Sequence, residues 1–140
     1  MIGQYPDFYR AAFVRNPSVE ICSKSIGSDI PDWNYVECGL KYDPSDIPTS
    51  EVFTTMLSKS PIVHLAKIKA PLLLCVGEKD ARIPCSQSKQ LFRLMKANDK
   101  KVEMILYPED CHPLSRVETD GDCLLNIARW FHQHRNTGPE

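Results

Sequence analysis

The run Pro71-Leu72-Leu73-Leu74-Cys75-Val76-Gly77 is apolar throughout, opens at a proline and closes at a glycine. A strand with one face in water would alternate apolar and polar side chains, and this run has no polar position on either face. Strands that are apolar on both faces are typical of a parallel sheet covered by helices on both sides. The run therefore predicts a central parallel strand, with Asp80 just beyond its C-terminal end.

The residues after this strand predict one helix and one further strand. From about Ser86 to Ala97, apolar residues recur at helical spacing along one face. The run Val102–Tyr107 predicts the next strand, and the loop after it carries His112. A strand, a helix and a second strand in this order indicate a βα arrangement with parallel neighbouring strands.

The chain before the central strand is less regular. Residues 11–14 form a short apolar run that ends at Asn16-Pro17, which predicts another strand. Residues 23–48 are rich in Ser, Asp, Pro and Gly, so we expect a long irregular segment with short helical pieces. A short helix is predicted over 51–58, because the residue before Pro61 is pushed out of the helical region.

A last helix is predicted near the C-terminus. Thr119-x-x-Asp122 has the spacing of a capping box, which places the start of the helix at Thr119. One apolar stripe follows it, formed by Cys123, Ile127, Trp130 and Phe131. The predicted fold class is α/β, with a mostly parallel sheet and flanking helices, and we expect residues 1–140 to belong to one domain.

Composition sets the broad class of the protein. Of the 140 residues, 42% are hydrophobic and 25% charged, which is ordinary for a globular protein, and the formal net charge of -1 predicts binding to neither nucleic acid nor membrane. We find no apolar run near the roughly 20 residues of a membrane span and no signal-peptide pattern. Six cysteines without a CxxC spacing indicate free thiols in a reducing compartment. A cytoplasmic location is expected.

Asp80 and His112 are the candidate catalytic pair. Each follows a predicted strand in consecutive βα units, and ligands of open α/β sheets bind beyond the carboxyl ends of the strands. A carboxylate that accepts a hydrogen bond from an imidazole orients the ring and stabilises its charged form, and the order Asp then His occurs in α/β-hydrolases. The pattern alone leaves two alternatives open: Asp80 as a turn residue and His112 as a surface loop histidine.

Other nucleophiles and ligands have simpler interpretations. We expect the serines to cap helices or contact solvent, since none of those considered lies on a strand-to-helix elbow: Ser23, Ser25, Ser28, Ser86, Ser88 and Ser115. Cys111 and Cys85 lie near the pair but point away in the predicted arrangement. His132 and His134 are two residues apart on a helix, so they predict surface positions and not a metal site.

Two further side chains have open roles. His64 is equally compatible with a polar cap and with no role. Arg82 is expected to form an ion pair within its loop, with a contact to Asp80 or to a substrate as the alternative.

Several segments carry a family resemblance. Gly77-Glu78-Lys79-Asp80-Ala81-Arg82-Ile83-Pro84 fits the form G-x-x-D-x-R-[VI]-P and resembles the acid-bearing loop of the prolyl oligopeptidase family of serine peptidases. Residues 107–115 resemble that family's histidine loop, and residues 59–62 its Ser-Pro segment. Further segments are similar to the acylaminoacyl-peptidase branch in the same order: residues 2–6, 15–17, 29–33 and 128–131.

The resemblance implies a function and the roles of two residues. In that branch a serine attacks the carbonyl after an N-acylated first residue of a peptide, and the acylated amino acid is released. By resemblance His112 is the base, Asp80 orients it, and the substrate is an N-acylated peptide. Neither a metal nor an organic cofactor is implied.

The resemblance also implies a missing part. The family's nucleophile stands in a G-x-S-x-G elbow, and these 140 residues contain none. By the family's spacing we expect the serine shortly before Met1, so the chain is expected to be part of an α/β-hydrolase domain, without the propeller, and inactive alone. Its partner would then be the N-terminal part of the same enzyme; homo-oligomers are also compatible. An esterase-like α/β-hydrolase and a non-catalytic isoform acting through protein interaction are the alternatives.

Overall fold

A computed structural model describes residues 1–135 of the chain. The last five residues of the predicted domain lie outside this range. The elements in chain order are β1 (Ala12–Arg15), α1 (Ile21–Gly27), α2 (Pro31–Glu37), α3 (Ser50–Lys59), a 3-10 helix (Pro61–Lys67), β2 (Leu72–Gly77), α4 (Ser86–Ala97), β3 (Val102–Tyr107) and α5 (Val117–His134).

The three strands form one parallel sheet in the order β1-β2-β3. In register, Leu72 of β2 lies between Ala12 of β1 and Val102 of β3, and the pairing with β3 continues to Gly77 and Tyr107. Every residue of β2 is buried. The prediction of a central parallel strand in an α/β fold is confirmed.

Helices cover both faces of the sheet, as the two apolar faces of β2 require. One face packs against α4 in a cluster that includes Leu72, Leu74, Val76, Leu91 and Met95. The other packs against α5 in a cluster that includes Leu73, Cys75, Cys123 and Trp130. Full burial of one such large apolar side chain contributes about 1.5–3 kcal/mol. These two layers fix the strand ends from which the site loops leave.

A separate cluster joins α1, α2 and α3 around Ile21, Cys38 and Met56. The Ser60 hydroxyl connects two of these helices, because it accepts a hydrogen bond from the Ile21 N–H at 2.9 Å and donates one to the Met56 carbonyl at 2.8 Å. In this satellite, α1 and α2 correspond largely to the segment predicted to be irregular with short helical pieces, and α3 corresponds to the helix predicted over 51–58. Within residues 1–135, no helix combines the length and apolar character that a membrane span needs.

The start of α5 differs from the prediction. The helix begins at Val117, and its N-cap residue Arg116 makes no side-chain capping bond. Thr119 lies inside the first turn, where its side chain forms a hydrogen bond with Asp110. A tertiary partner has therefore taken the group that would have capped the helix.

The buried face of α5 is also narrower than the apolar stripe in the sequence predicts. Trp130 is 4% exposed, whereas its neighbour Phe131 is 43% exposed. Successive helical residues point about 100° apart, so only one of the two faces the sheet. His134 is 5% exposed, and its ring lies 4.3 Å from the Trp130 ring between centroids. The prediction of a surface position was wrong for His134.

Candidate active site

Asp80 and His112 meet at the carboxyl end of the sheet. Asp80 lies in the loop after β2 and His112 in the loop after β3, and His112 Nδ1 is 2.8 Å from Asp80 Oδ2. The Asp80 side chain is fully buried, whereas 37% of the His112 side chain is exposed. One ring nitrogen is thus held by a buried carboxylate, while the ring itself reaches the surface, an arrangement suited to proton exchange through Nε2.

The second oxygen of Asp80 fixes its own loop. Oδ1 accepts hydrogen bonds from the backbone N–H groups of Arg82 and Ile83, each at 2.8 Å. The turn role that the sequence left as an alternative is therefore present together with the contact to His112. These bonds hold the carboxylate in one orientation, with Oδ2 directed at the ring.

Asp110 organises the loop that carries His112. Its Oδ1 accepts the Cys111 N–H at 3.0 Å and its Oδ2 accepts the Arg116 N–H at 3.3 Å. Burial favours the neutral acid, but the hydrogen bonds from Thr119 and from the backbone outweigh it, so the pKa of Asp110 is lowered. Sequence reasoning missed this residue, although an Asp at a turn before a helix is a recognisable signal.

Asn16, at the end of β1, contacts the same loop. Its side-chain Nδ2 donates to the His112 carbonyl at 2.9 Å and to the Cys111 carbonyl at 3.3 Å, and its Oδ1 accepts the Gly77 N–H at 2.9 Å. The residue is buried and has a φ of 39°. The sequence identified Asn16 only as part of a strand break, because nothing local marks a contact with a loop 96 residues away.

Gly77 ends β2 directly beneath the histidine loop. A Cβ at this position would lie 2.7 Å from the carbonyl oxygens of both Asp110 and Cys111. Real Cβ atoms essentially never approach backbone oxygens so closely, so the loop crosses β2 here only because residue 77 has no side chain. The glycine that closed the apolar run in the sequence is a requirement of the site.

Comparison with known proteins places this geometry in a family. The sequence profile of the prolyl oligopeptidase family matches residues 1–138. The chain belongs to the prolyl oligopeptidase family. The members of this family are serine peptidases, and the resemblance found in the sequence is confirmed.

Curated relatives agree with this assignment. Acylamino-acid-releasing enzyme of Rattus norvegicus is 42% identical over 134 residues, which are 96% of this chain and 18% of that enzyme. The enzyme of the same name from Arabidopsis thaliana is 38% identical over 135 residues, again 96% of this chain and 18% of the relative. The chain thus spans less than a fifth of the length of these prolyl oligopeptidase family members.

Solved structures share the fold. Acylaminoacyl peptidase of Pyrococcus horikoshii superposes with a TM-score of 0.81 at 20% identity, over 98% of this chain and 22% of that one. A puromycin-hydrolyzing peptidase of Mycobacterium tuberculosis gives a TM-score of 0.77 at 16% identity, over 96% and 20% of the two chains. Both support the α/β-hydrolase architecture of this prolyl oligopeptidase family chain.

Arg82, in the loop that carries Asp80, forms an ion pair with a residue of another loop. Its Nη2 lies 3.3 Å from Asp29 Oδ2, and the Asp29 N–H donates to the Ala81 carbonyl at 3.0 Å. An ion pair is present as predicted, but its partner lies outside the loop of Arg82, so it ties that loop to the segment between α1 and α2.

Two of the serines considered as nucleophiles donate hydrogen bonds to groups other than His112, and two further thiols have raised pKa values. The hydroxyls of Ser23 and Ser25 donate to Glu20 and to the Cys22 carbonyl. All six cysteines are free thiols. Burial, the main cause, raises the pKa of Cys22 and of Cys75 to about 12, so these two thiols stay protonated near neutral pH.

Among residues 1–135 no metal site forms around the pair, and a sizeable cavity lies elsewhere in the fold. In the part of the chain that the structure describes, no three His, Cys, Asp or Glu side chains are placed to hold a metal ion. A cavity of about 230 Å³ lies between the N-terminal residues, β1 and the 3-10 helix, lined by Ile2, Val14, Ile62, His64 and others, but not by Asp80 or His112. His64 is thereby placed beside the N-terminal segment, away from the candidate pair.

Proposed function

We propose that Asp80 and His112 are the acid and the base of a serine peptidase of the acylaminoacyl-peptidase type, which releases N-acylated amino acids from blocked peptides. The observation that carries the proposal is the 2.8 Å contact between His112 Nδ1 and Asp80 Oδ2 at the carboxyl end of a parallel sheet. The names of the relatives supply the substrate class. The 42% identity between the Rattus norvegicus enzyme and this chain favours a peptidase over an esterase.

In the proposed mechanism, each ring nitrogen of His112 has one task. Nδ1–H donates a hydrogen bond to Asp80. This bond fixes the tautomer in which Nε2 has a free lone pair, and the carboxylate stabilises the imidazolium once it forms. Nε2 accepts the proton of the serine hydroxyl as the serine oxygen attacks the carbonyl carbon of the N-acylated residue. Nε2 then passes the proton to the leaving amine of the next residue. Water then attacks the acyl-enzyme and gives a proton to Nε2. Nε2 returns this proton to the serine oxygen, and the N-acylated amino acid leaves.

The 140 residues alone are proposed to be inactive. The family's serine stands in a G-x-S-x-G elbow, and none occurs in this sequence. One oxyanion donor of an acyl-transfer site also comes from the residue after the nucleophile. Loss of one such donor costs about 10²–10³ in rate, and loss of the nucleophile costs more. The N-terminal part of the enzyme is therefore the proposed partner, and a reducing cytoplasmic setting suits the six free thiols.

A segment exchange tests the proposal. The matching 134 residues of the Rattus norvegicus enzyme are replaced by those of this chain, and hydrolysis of an acetyl-amino-acid nitroanilide is measured. We expect hydrolysis by the exchanged protein, a loss of about 10³-fold or more on His112→Ala or Asp80→Ala, and none by the 140-residue chain alone.

Two outcomes would overturn the proposal. Hydrolysis by a folded exchanged protein that survives His112→Ala would remove His112 as the base. Hydrolysis by the 140-residue chain at rates near those of the rat enzyme would show that the chain holds its own nucleophile. Exposed Ser115→Ala is the control, since this serine is close to His112 in sequence and is expected to leave the rate unchanged.

A further inference from the structure

We propose that Asn16 is a positioning residue, which holds the backbone of His112 so that its ring meets Asp80. The inference rests on the proposed roles of that pair. The Asn16 carboxamide joins three parts of the site: it is carried by the end of β1, it accepts the Gly77 N–H at the end of β2 at 2.9 Å, and it donates to the His112 carbonyl at 2.9 Å.

Only a carboxamide performs both tasks at this place. Asn16 is 3% exposed, so groups that it leaves unpaired are also shielded from water. A carboxylate accepts the Gly77 N–H but offers the His112 and Cys111 carbonyls no donor. An apolar side chain offers neither. The φ of 39° adds a second restriction, because the left-handed region favours Asn, Asp and Gly.

The hydrogen bond from Asn16 to the His112 carbonyl affects the distance between His112 Nδ1 and Asp80 Oδ2 through the backbone. His112 carries both the carbonyl that Asn16 holds and the ring that contacts Asp80. Asp80 follows Gly77 by three residues. The Asn16 side chain therefore holds both loops, the one that carries Asp80 and the one that carries His112. A hydrogen bond of 2.8 Å weakens steeply when its atoms separate or lose alignment, so loosening either loop degrades the contact between Nδ1 and Oδ2.

Among the described residues, other links join the starts of these loops, and those links do not replace Asn16. The ion pair between Lys79 and Glu109 is exposed, and exposed ion pairs contribute little. The Lys79 N–H donates to the Asp110 carbonyl at 3.0 Å, which fixes the start of the histidine loop and leaves residues 111 and 112 to Asn16.

The test reads the His112 ring directly in the 140-residue chain. In a ¹⁵N-labelled sample, the proton on Nδ1 of His112 gives a downfield resonance when it is held by Asp80, and His112→Gln assigns it. Asn16→Asp retains the acceptor, the shape and the left-handed backbone, while Asn16→Gly retains the backbone alone. We expect exchange of this proton with water to accelerate at least about tenfold in both variants, the factor that corresponds to loss of one buried hydrogen bond.

A matched control separates positioning from stability. Gln87 is 2% exposed and also makes three hydrogen bonds, to the N–H groups of Val19 and Glu20 and to the Ser23 hydroxyl, but none to the histidine loop. Gln87→Ala is expected to lower the melting temperature while the His112 resonance in the folded chain keeps its wild-type exchange rate.

The outcomes distinguish the two proposals. A wild-type exchange rate in folded Asn16→Asp or Asn16→Gly would overturn the positioning role. Equal acceleration in Gln87→Ala would also overturn it, since general loosening would then explain the effect. Absence of the resonance in the wild-type chain would instead refute the contact between Asp80 and His112, and with it the proposed function.

Discussion

At the scale of single residues, Gly77 shows how closely the site loops approach the sheet. A Cβ here would lie 2.7 Å from two backbone oxygens of the histidine loop. We predict that Gly77→Ala lowers the free energy of unfolding by about 1–3 kcal/mol, because the added methyl displaces the loop. Urea unfolding followed by circular dichroism measures the change.

Gly121 provides the matched control for this prediction. It lies inside α5, and a Cβ there would meet no atom within 4 Å. Gly121→Ala is expected to raise the free energy of unfolding by about 0.5–1 kcal/mol, since alanine loses less backbone entropy in a helix. A stabilising Gly77→Ala would contradict the close approach of the loop.

Asp110 makes the stability of the histidine loop dependent on pH. A carboxyl group whose pKa is lower in the folded than in the unfolded chain stabilises the fold above its ordinary pKa of 3.8, and this contribution is lost as the pH falls through the folded value. We expect Asp110→Asn to cost about 1–3 kcal/mol at pH 7, because donors to the lost oxygen are left unpaired.

The difference between wild type and Asp110→Asn should shrink as the pH drops below 3.8. Thermal unfolding of both proteins at a series of pH values measures it. A difference that stays constant down to acidic pH would show that the ionised form of Asp110 is not what holds the loop.

Residue-scale prediction from the sequence succeeded where a local motif existed. Asp80 and His112 each follow a predicted strand, and the structure brings their side chains together. Asn16 and Asp110 were missed as site residues for different reasons. Asn16 acts through contacts some 95 residues away, which no local pattern encodes. Asp110 carries a turn signal, but a turn signal alone does not distinguish a residue that orders a site loop from any other turn residue.

At the scale of elements, boundaries were predictable where one local signal dominated. The predicted bounds of α4 and β3 match the structure, since a helical apolar face and a proline after the strand define them. The start of α5 was misplaced because Thr119 bonds to Asp110 and not to its own helix. Capping patterns predict a helix end only when no tertiary partner takes the capping group.

The seating of α5 on the sheet depends on one side of the helix. Trp130 is buried against β1 and donates from Nε1 to the Ala12 carbonyl at 3.0 Å. Trp130→Ala is expected to cost about 3–5 kcal/mol through the lost packing. Phe131→Ala, on the adjacent and more exposed position, should cost less than about 1 kcal/mol. Similar losses in chemical denaturation would refute this orientation of the helix.

At the scale of the whole molecule, residues 1–135 have a large core around the sheet and a smaller one among the helices. The sheet is covered on both faces, whereas α1, α2 and α3 share a smaller cluster around Met56. Regions with fewer buried apolar contacts open at lower free energy. We predict that amides of α1 to α3 exchange with deuterium faster than those of β2 under native conditions.

Met56→Ala tests whether the two cores open separately. Removal of this fully buried side chain should cost about 2–5 kcal/mol locally and speed exchange in α1 to α3, with β2 remaining protected. Leu74→Ala, in the centre of β2, is the comparison and should speed exchange throughout. Equal acceleration of β2 in Met56→Ala would mean that the chain unfolds as one unit.

The overall architecture followed from the sequence because one apolar run left no face for water, so helices had to cover both sides. The path of residues 23–48 could not be predicted from the sequence. The short helices there are stabilised by non-local contacts, such as the hydrogen bond between Ser60 and Ile21 at the start of α1. Physical patterns thus predicted the layers, and tertiary contacts determined where the remaining chain packs.

The unequal environments of the two tryptophans give the chain two optical reporters. Trp130 is enclosed between α5 and the sheet, beside the His134 ring, whereas Trp33 on α2 is 58% exposed. We expect Trp130 to emit at shorter wavelength and to resist quenching by iodide. We expect Trp33 to emit at longer wavelength and to be quenched readily. Fluorescence therefore follows the sheet and the helical satellite separately in one sample, without any added label.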